Sequence, residues 1–271
     1  RAAGARAVAI DVLFTEPSFY QNDNGADDVT FGNAIAVFTG FPATVFLGRE
    51  QGSTKQWPAD IPASTNIIIS ADAAKLRTIL VEPLATFPIP EMATNAGMMV
   101  NVAANPDRDS IYRRIRPVRV FDGHPIPALG FGLYLAGHPG TTAAITPNAP
   151  HSPYALRLAT GAIPLDADGQ AILQFRGPSQ THKTINAKAV IQSEMAAREG
   201  AQVSVDPSVL KDKYVLFADV RNEGGWHYNR KIGETGDVPT GSGPDIAAFN
   251  GGTFDDGGLH RLVDPAGRAA L

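Results

Sequence analysis

Cysteine is absent from this sequence of 271 residues. Without thiols the chain has no disulfide framework, no thiolate zinc site and no cysteine nucleophile. Since proteins without cysteine occur in reducing and oxidising compartments alike, this absence leaves the cellular location open.

Long apolar runs are also missing. No apolar segment approaches the roughly 20 residues that a membrane-spanning helix needs, so we expect no such helix within this sequence. No signal peptide precedes Arg1, and the opening Arg-Ala-Ala-Gly-Ala-Arg looks like the last turn of a helix. We therefore expect the chain to be part of a longer protein.

The charge distribution argues against a nucleic-acid binder. The net charge is −4 and no run of Lys and Arg is longer than two residues, whereas nucleic-acid binders carry a basic patch or stripe. Arginine is concentrated only at Arg113, Arg114, Arg116 and Arg119. These residues alternate with aliphatic side chains, which predicts one charged face of a strand.

Familiar catalytic motifs are missing as well. The sequence has no phosphate loop ending in Lys-Ser or Lys-Thr, no dinucleotide fingerprint after its first strand, no nucleophile elbow and no zincin histidine pair. Its six histidines are scattered without the spacing of metal ligands. We therefore expect a protein that is not an enzyme, with no catalytic residue, no metal site and no cofactor.

The hydrophobic pattern predicts an α/β fold. Residues 7–14 (AVAIDVLF) form a short apolar run bounded by Gly4 and Pro17, which is typical of a strand buried on both faces of a parallel sheet. Helical spacing after Asp27 and a further apolar run at 45–48 complete a βαβ unit. We predict a mixed, mainly parallel sheet with helices on both faces, a three-layer α/β/α sandwich, and peripheral hairpins.

Later segments extend this prediction. Residues 112–121 read as a strand that enters a hairpin at Asp122-Gly123. The Gly, Pro and Thr-rich residues 137–153 read as a linker inserted between two halves of one sheet, and residues 246–254 as a helix. Because we expect neither half to cover both its faces alone, we predict a single domain over residues 1–271.

The candidate ligand-binding residues are Asp11, Glu16, Arg176 and Asp219. Asp11 interrupts the first strand near its carboxyl end and Glu16 follows it, and ligands of open α/β sheets bind at that edge. A buried carboxylate there must be paired, hydrogen-bonded or shifted in pKa. The alternative is that Asp11 only caps a neighbouring loop. Arg176 ends a predicted strand and would either hold an anionic ligand or pair internally with Asp11 or Asp219.

Two Asp-rich segments, 107–109 and 166–169, resemble the start of calcium loops. Neither is followed by the distal Glu that such a loop requires, so we interpret both as turns.

An ordered series of segments resembles the type-two CHASE domain, CHASE2. In chain order the segments are AIDVLFTEP, DDVTFGNAIA, PIPE, VNVAANPDRDSIYRRIRPV, IPLDADGQAILQFRGP and LKDKYVLFAD. The positions characteristic of the family are Asp11, Glu16, Asp28, Asn101, Asp109, Arg114, Asp168, Arg176 and Pro178. The resemblance extends over residues 1 to about 220, and residues 220–271 diverge from the family pattern.

The resemblance implies an extracytoplasmic sensory domain of bacterial adenylate cyclases, histidine kinases and Ser/Thr kinases. It implies a periplasmic or cell-surface location, flanking transmembrane helices and a cytoplasmic output domain in the full-length protein. The expected partner is an unknown small-molecule or protein ligand, and not nucleic acid. The alternative is an interaction or assembly module of a surface or extracellular complex, with homo-oligomers possible, that reuses the sensor fold.

Overall fold

The computed structural model describes residues 3–18, 25–38, 40–63, 66–148, 151–175, 184–218 and 245–249. These residues form five α-helices and fifteen β-strands, which confirms the mixed α/β class. The helices are α1 (Ala26–Val37), α2 (Ala74–Leu80), α3 (Pro90–Ala93), α4 (Leu129–Gly137) and α5 (Ala187–Arg198). The single-domain organisation of the whole chain stays a prediction.

The strands are β1 (Ala7–Ile10), β2 (Pro42–Gly48), β3 (Ile67–Ile69), β4 (Leu84–Thr86), β5 (Met98–Asn101), β6 (Arg114–Ile115), β7 (Val118–Phe121), β8 (His124–Pro127), β9 (Ala143–Pro147), β10 (Tyr154–Leu158), β11 (Gly161–Leu165), β12 (Ala171–Ile172), β13 (Thr184–Asn186), β14 (Tyr214–Ala218) and β15 (Asp245–Phe249). Short 3₁₀ helices cover Ala71–Ala73 and Pro207–Leu210.

The strands form several small sheets in the described part of the chain. Their orders are β1-β14-β15-β13, β4-β2-β5, β11-β10-β9-β3, β12-β6 and β7-β8. Three strand pairs are parallel and seven are antiparallel among the described residues. The prediction of one mainly parallel sheet in a three-layer sandwich is therefore not confirmed. The physical reason is that β9, β10 and β11 follow one another through short connections, which permit only antiparallel pairing.

Helices pack against both faces of β1. Ala7 and Ala9 belong to an apolar cluster with Leu133 of α4, and Val8 and Ile10 pack against the cluster that contains Ile35 of α1. β14 pairs with β1 in parallel register. β2 lies next to β1, and the Thr44 hydroxyl of β2 donates to the Val12 carbonyl. The first strand is thus an interior element, as its apolar pattern predicts.

Local signals fix several of these elements. Asp122 and Gly123 have φ of 46° and 82°, the two positive angles of a type I′ turn, so the predicted hairpin is confirmed between β7 and β8. Pro90 opens α3. The Asn186 side chain accepts from the Lys188 backbone N–H at 2.9 Å and caps α5.

A glycine allows α4 to approach β5. A Cβ atom at Gly132 would lie 2.2 Å from Cγ1 of Val100, which is far inside van der Waals contact. By contrast, nothing lies within 4 Å of a Cβ built at Gly130. Gly132 is therefore required by packing and Gly130 is not, whereas Gly137, the last residue of this helix, packs closely against Tyr214, because a Cβ atom there would lie 2.4 Å from Cε1 of Tyr214.

Three predicted segments differ from the structure. Residues 112–121 are split into β6 and β7 at Pro117, and the two parts pair with different strands, β12 and β8. Residues 137–153 contain β9, an interior strand of its sheet, because Ala143 and Ile145 face the apolar core. The predicted helix 246–254 is wrong for residues 246–249, which belong to β15 between β13 and β14, and its remaining residues, 250–254, lie outside the described residues. Pairing on both edges outweighs the weak helical pattern there.

Candidate functional site

Asp11 lies at the carboxyl end of β1. Its backbone N–H donates to the Phe217 carbonyl of β14 at 2.8 Å, which extends the parallel pairing by one bond. With β14 on one side of β1 and β2 on the other, Asp11 occupies the carboxyl edge where open α/β sheets bind ligands. The structure thus puts this residue where the apolar pattern predicted it.

The Asp11 carboxyl group is half-buried and has no hydrogen-bond or ion-pair partner among the described side chains. Burial raises its pKa from 3.8 to about 6, because a low-dielectric environment disfavours the charged form. Among the described residues, no backbone N–H of a loop or helix donates to this carboxylate. A half-buried carboxyl group with a raised pKa is typical of functional sites.

The segment that follows β1, residues 11–18, is held in place by three contacts from other elements. We call it the β1 loop. The Thr44 hydroxyl donates to the Val12 carbonyl, the Ile89 N–H donates to the Phe14 carbonyl at 2.8 Å, and the Asp28 carboxylate accepts from the Ser18 N–H at 2.9 Å. Asp11 therefore projects from a fixed backbone, which lowers the entropy cost of binding.

The structure does not bring Glu16, Arg176 or Asp219 together with Asp11 among the described residues. Glu16 is exposed in the β1 loop, and no hydrogen bond or ion pair joins it to Asp11. Arg176 and Asp219 lie outside the described residues. The association of the four residues in one site stays a prediction.

A small apolar cavity lies under the β1 loop. Its volume is about 10 Å³, and its lining includes Ile10, Phe14, Phe31 and Met92. Ligand pockets typically measure roughly 300–1,000 Å³, so this cavity does not hold a metabolite.

Arg119 and Glu82 form a buried ion pair that the sequence pattern did not predict. Arg119 of β7 is 4% exposed and Glu82 is 2% exposed, and the Arg119 Nη1 donates to Glu82 Oε1. The interpretation of Arg119 as part of one charged face of a strand with Arg113, Arg114 and Arg116 is therefore wrong. All four residues of β7 are buried, because this strand passes through the interior between the two main apolar clusters.

Further polar groups surround this pair. Arg119 Nη2 donates to Asn105 Oδ1 at 3.1 Å, and Arg49, the residue after β2, places its Nε 3.6 Å from Glu82 Oε2. Burial lowers the pKa of the Arg119 guanidinium, the Glu82 carboxylate opposes this effect, and the charges of Arg116 and Arg49 add to it. We call Arg49, Arg116, Arg119 and Glu82 the arginine cluster.

Asn101, the last residue of β5, ties the strand ends near this cluster together. Its Oδ1 accepts from the backbone N–H groups of Leu47 and Ala103, each at 3.1 Å, and its Nδ2 donates to the Ala103 carbonyl at 2.9 Å. Ala103 in turn offers its carbonyl to Arg119 Nη2 at 3.5 Å. The carboxyl ends of β2 and β5 are thus joined to the arginine cluster.

The two Asp-rich segments use their carboxylates locally. Asp166 Oδ1 accepts from the backbone N–H groups of Asp168 and Gln170, which is the chemistry of an Asx turn. Asp109 forms a two-oxygen contact with Arg113 Nη1, at 2.9 and 2.8 Å. Within the described part of the chain, no group of three or more His, Asp or Glu side chains is arranged to hold a metal ion.

No α-helix within the described ranges has the length and hydrophobicity needed to cross a membrane.

Comparison with protein families identifies the family of this chain. The model of the CHASE2 domain matches residues 1–225, more than four fifths of the chain. The chain belongs to the CHASE2 domain family. CHASE2 is an extracellular sensory domain family of signalling receptors, and the domain itself is not catalytic. No curated protein and no solved structure matches the chain.

All four predicted site residues fall inside the part of the chain that matches CHASE2, and so does the arginine cluster. The matched part ends at residue 225, so β15 lies beyond it.

Proposed function

We propose that this CHASE2 chain is the extracytoplasmic sensory domain of a membrane-anchored signalling receptor, and that it is non-catalytic. The observation that carries the proposal is the family match over residues 1–225. In the full-length protein, flanking transmembrane helices connect the domain to a cytoplasmic output domain. Binding of a small-molecule or protein ligand shifts the balance between two states of the domain and so changes the output.

The proposed ligand site is the carboxyl edge of the sheet, with Asp11, Glu16, Arg176 and Asp219 as the contacting residues. The half-buried Asp11 carboxyl group, without a described partner and on a fixed loop, supports this choice. The charged form of such a buried carboxyl group lowers the stability of the protein, and residues with this effect are tolerated mainly at functional sites. A ligand that offers a hydrogen-bond donor or a positive charge would remove this cost.

We also propose a layered arrangement around this site. The parallel strands β1, β2, β5 and β14 would form the middle layer of a three-layer α/β/α sandwich. The alternation of Ala7 and Ala9 towards α4 with Val8 and Ile10 towards α1 supports this view.

A thermal-shift screen of the 271-residue chain tests the proposed site. Small molecules and ions that carry ammonium or hydroxyl groups are added, and the expected result is at least one compound that raises the melting temperature of the wild type. The rise should be lost in Asp11→Asn and kept in Asp60→Asn, a change at an exposed loop position. A compound that stabilises all three proteins equally, or no stabilising compound, would count against the site at Asp11.

A second candidate function is an interaction or assembly module. The segment that begins with β12, which pairs with β6, supports this candidate. Ile172 of β12 is 68% exposed, and Phe175, three residues later, is 69% exposed. Large apolar side chains exposed to this extent favour burial against a partner. Light scattering over a range of concentrations tests this candidate: assembly that is lost in Phe175→Ser supports it, and a monomer at high concentration contradicts it.

A further inference from the structure

The arginine cluster carries an excess of positive charge at the carboxyl ends of β2 and β5. Arg119 contacts Oε1 of Glu82, and Arg49 contacts Oε2. Arg116 is close enough for its charge to lower the pKa of Arg119. Within the described residues, no carboxylate lies within ion-pair distance of Arg116, whose Nε donates to the Asp168 carbonyl at 3.1 Å. Arg49 and Arg119 therefore share one carboxylate, and Arg116 adds a third positive charge without a carboxylate of its own.

Arg119 has hydrogen-bonding capacity that the described residues leave unused. Its Nε is buried and has no partner among them, and its Nη2 donates only to two neutral acceptors, Asn105 Oδ1 and the Ala103 carbonyl. A buried N–H group without an acceptor is costly. Charged acceptors bind guanidinium groups about twice as strongly as neutral ones. The Arg119 charge is therefore only partly compensated, and it adds to the attraction for an anion that binds at an accessible neighbouring group.

Arg49 supplies the accessible contact. Its side chain is 64% exposed and is held at one side by the Nε contact with Glu82. Neither Nη group of Arg49 has a partner among the described residues, so both are available to an incoming ligand. The two Nη groups of a guanidinium can bind two oxygens of one carboxylate or phosphate. Since Glu82 restrains this side chain, less conformational freedom is lost on binding.

We propose that the arginine cluster is a binding site for a small anion that carries a carboxylate or phosphate group. Arg49 contacts the anion, Arg116 and Arg119 supply the attractive charge, and Glu82 positions Arg49 and Arg119. The site follows β2 and β5, whereas Asp11 follows β1, so the inference goes beyond the ligand site proposed above.

The test measures melting temperature and binding on the full 271-residue chain. Sodium phosphate, acetate and succinate are titrated, each against sodium chloride of equal ionic strength, because surface charge effects depend on salt. The variants are Arg49→Gln and the matched control Arg198→Gln. Arg198 is also an exposed arginine whose Nε contacts a glutamate, Glu194, at 2.9 Å. Neither variant removes a buried side chain, so both should fold.

The expected result is a saturable rise in melting temperature of about 5 °C with at least one of the anions. Its dissociation constant should increase at least about tenfold in Arg49→Gln, the loss expected for a charge-assisted contact, and stay unchanged in Arg198→Gln. Saturation with phosphate alone identifies a phosphate-bearing ligand, and saturation with acetate or succinate alone identifies a carboxylate-bearing one. A response that does not saturate, or that is equal in the two variants, overturns the proposal. Neither result bears on the Asp11 site, which is tested with different compounds.

Discussion

Arg119 and Glu82 form a charge pair inside the protein, although they lie on different elements and are 37 residues apart in the sequence. Each charge has lost its hydration, so each depends on the other for compensation. The pair also connects the hairpin of β7 and β8 with the segment after α2, where the Glu82 N–H donates to the Val120 carbonyl at 2.8 Å. It therefore fixes the backbone on which the arginine cluster is built.

Glu82→Gln should destabilise the protein by about 3–5 kcal/mol, because it leaves the Arg119 charge buried without its counter-charge. Urea unfolding measures the loss. The control is Glu194→Gln, which breaks the exposed pair with Arg198 and should cost less than about 1 kcal/mol. Equal losses in the two variants would contradict the burial of the pair.

The double variant Glu82→Met with Arg119→Met should be more stable than Glu82→Gln alone, because no uncompensated charge remains. If the double variant lost as much as the sum of two independent single changes, the two side chains would not be coupled.

Asp11→Asn should stabilise the protein at neutral pH. The pKa of Asp11 is about 6 in the folded state and about 3.8 when unfolded, so the stability from the protonated group is fully present below pH 3.8. It is lost as the pH rises through about 6. At about 1.4 kcal/mol per pKa unit, the wild type loses at most about 3 kcal/mol relative to the amide.

Unfolding free energies measured between pH 4 and pH 8 check this prediction. The difference in unfolding free energy between Asp11→Asn and the wild type should increase from pH 4 and level off above pH 6. A gap that stays constant with pH would mean that Asp11 is not a desolvated carboxyl group.

Gly130 and Gly132 of α4 should respond to alanine in opposite directions. Gly132→Ala forces a Cβ atom against Val100 and should cost about 1–3 kcal/mol. Gly130→Ala meets open space and should gain up to about 1 kcal/mol from helix propensity. Thermal and urea unfolding of both variants measure the difference. The close packing of α4 on β5 would be refuted by equal effects at the two positions.

Local patterns predicted those elements whose signal is contained within a few residues. The apolar run over residues 7–14 predicted an interior strand, which the structure has over the shorter range Ala7–Ile10. Asp122-Gly123 predicted the hairpin because both residues tolerate positive φ. Residues 245–249 were misread because a strand that pairs on both edges is defined by its neighbours and not by its own composition.

The same distinction between local and non-local signals separates the two candidate sites. Asp11 was found because one carboxylate inside an apolar run needs an explanation. Glu82 and Arg119 were missed because neither is unusual alone. The available signal was a pair of opposite charges, each inside a short apolar run, Leu80–Leu84 in one case and β7 in the other. Only the fold brings those runs together.

The most direct test of the sensor account is the output of the full-length protein in its membrane. Its signalling activity is measured for the wild type, for Asp11→Asn, and for Asp60→Asn as the exposed control. The account predicts that Asp11→Asn changes the output by about fivefold or more, the usual size of coupling between two sites, while Asp60→Asn leaves it unchanged. The same output in all three proteins would contradict a sensory role for the carboxyl edge of this sheet.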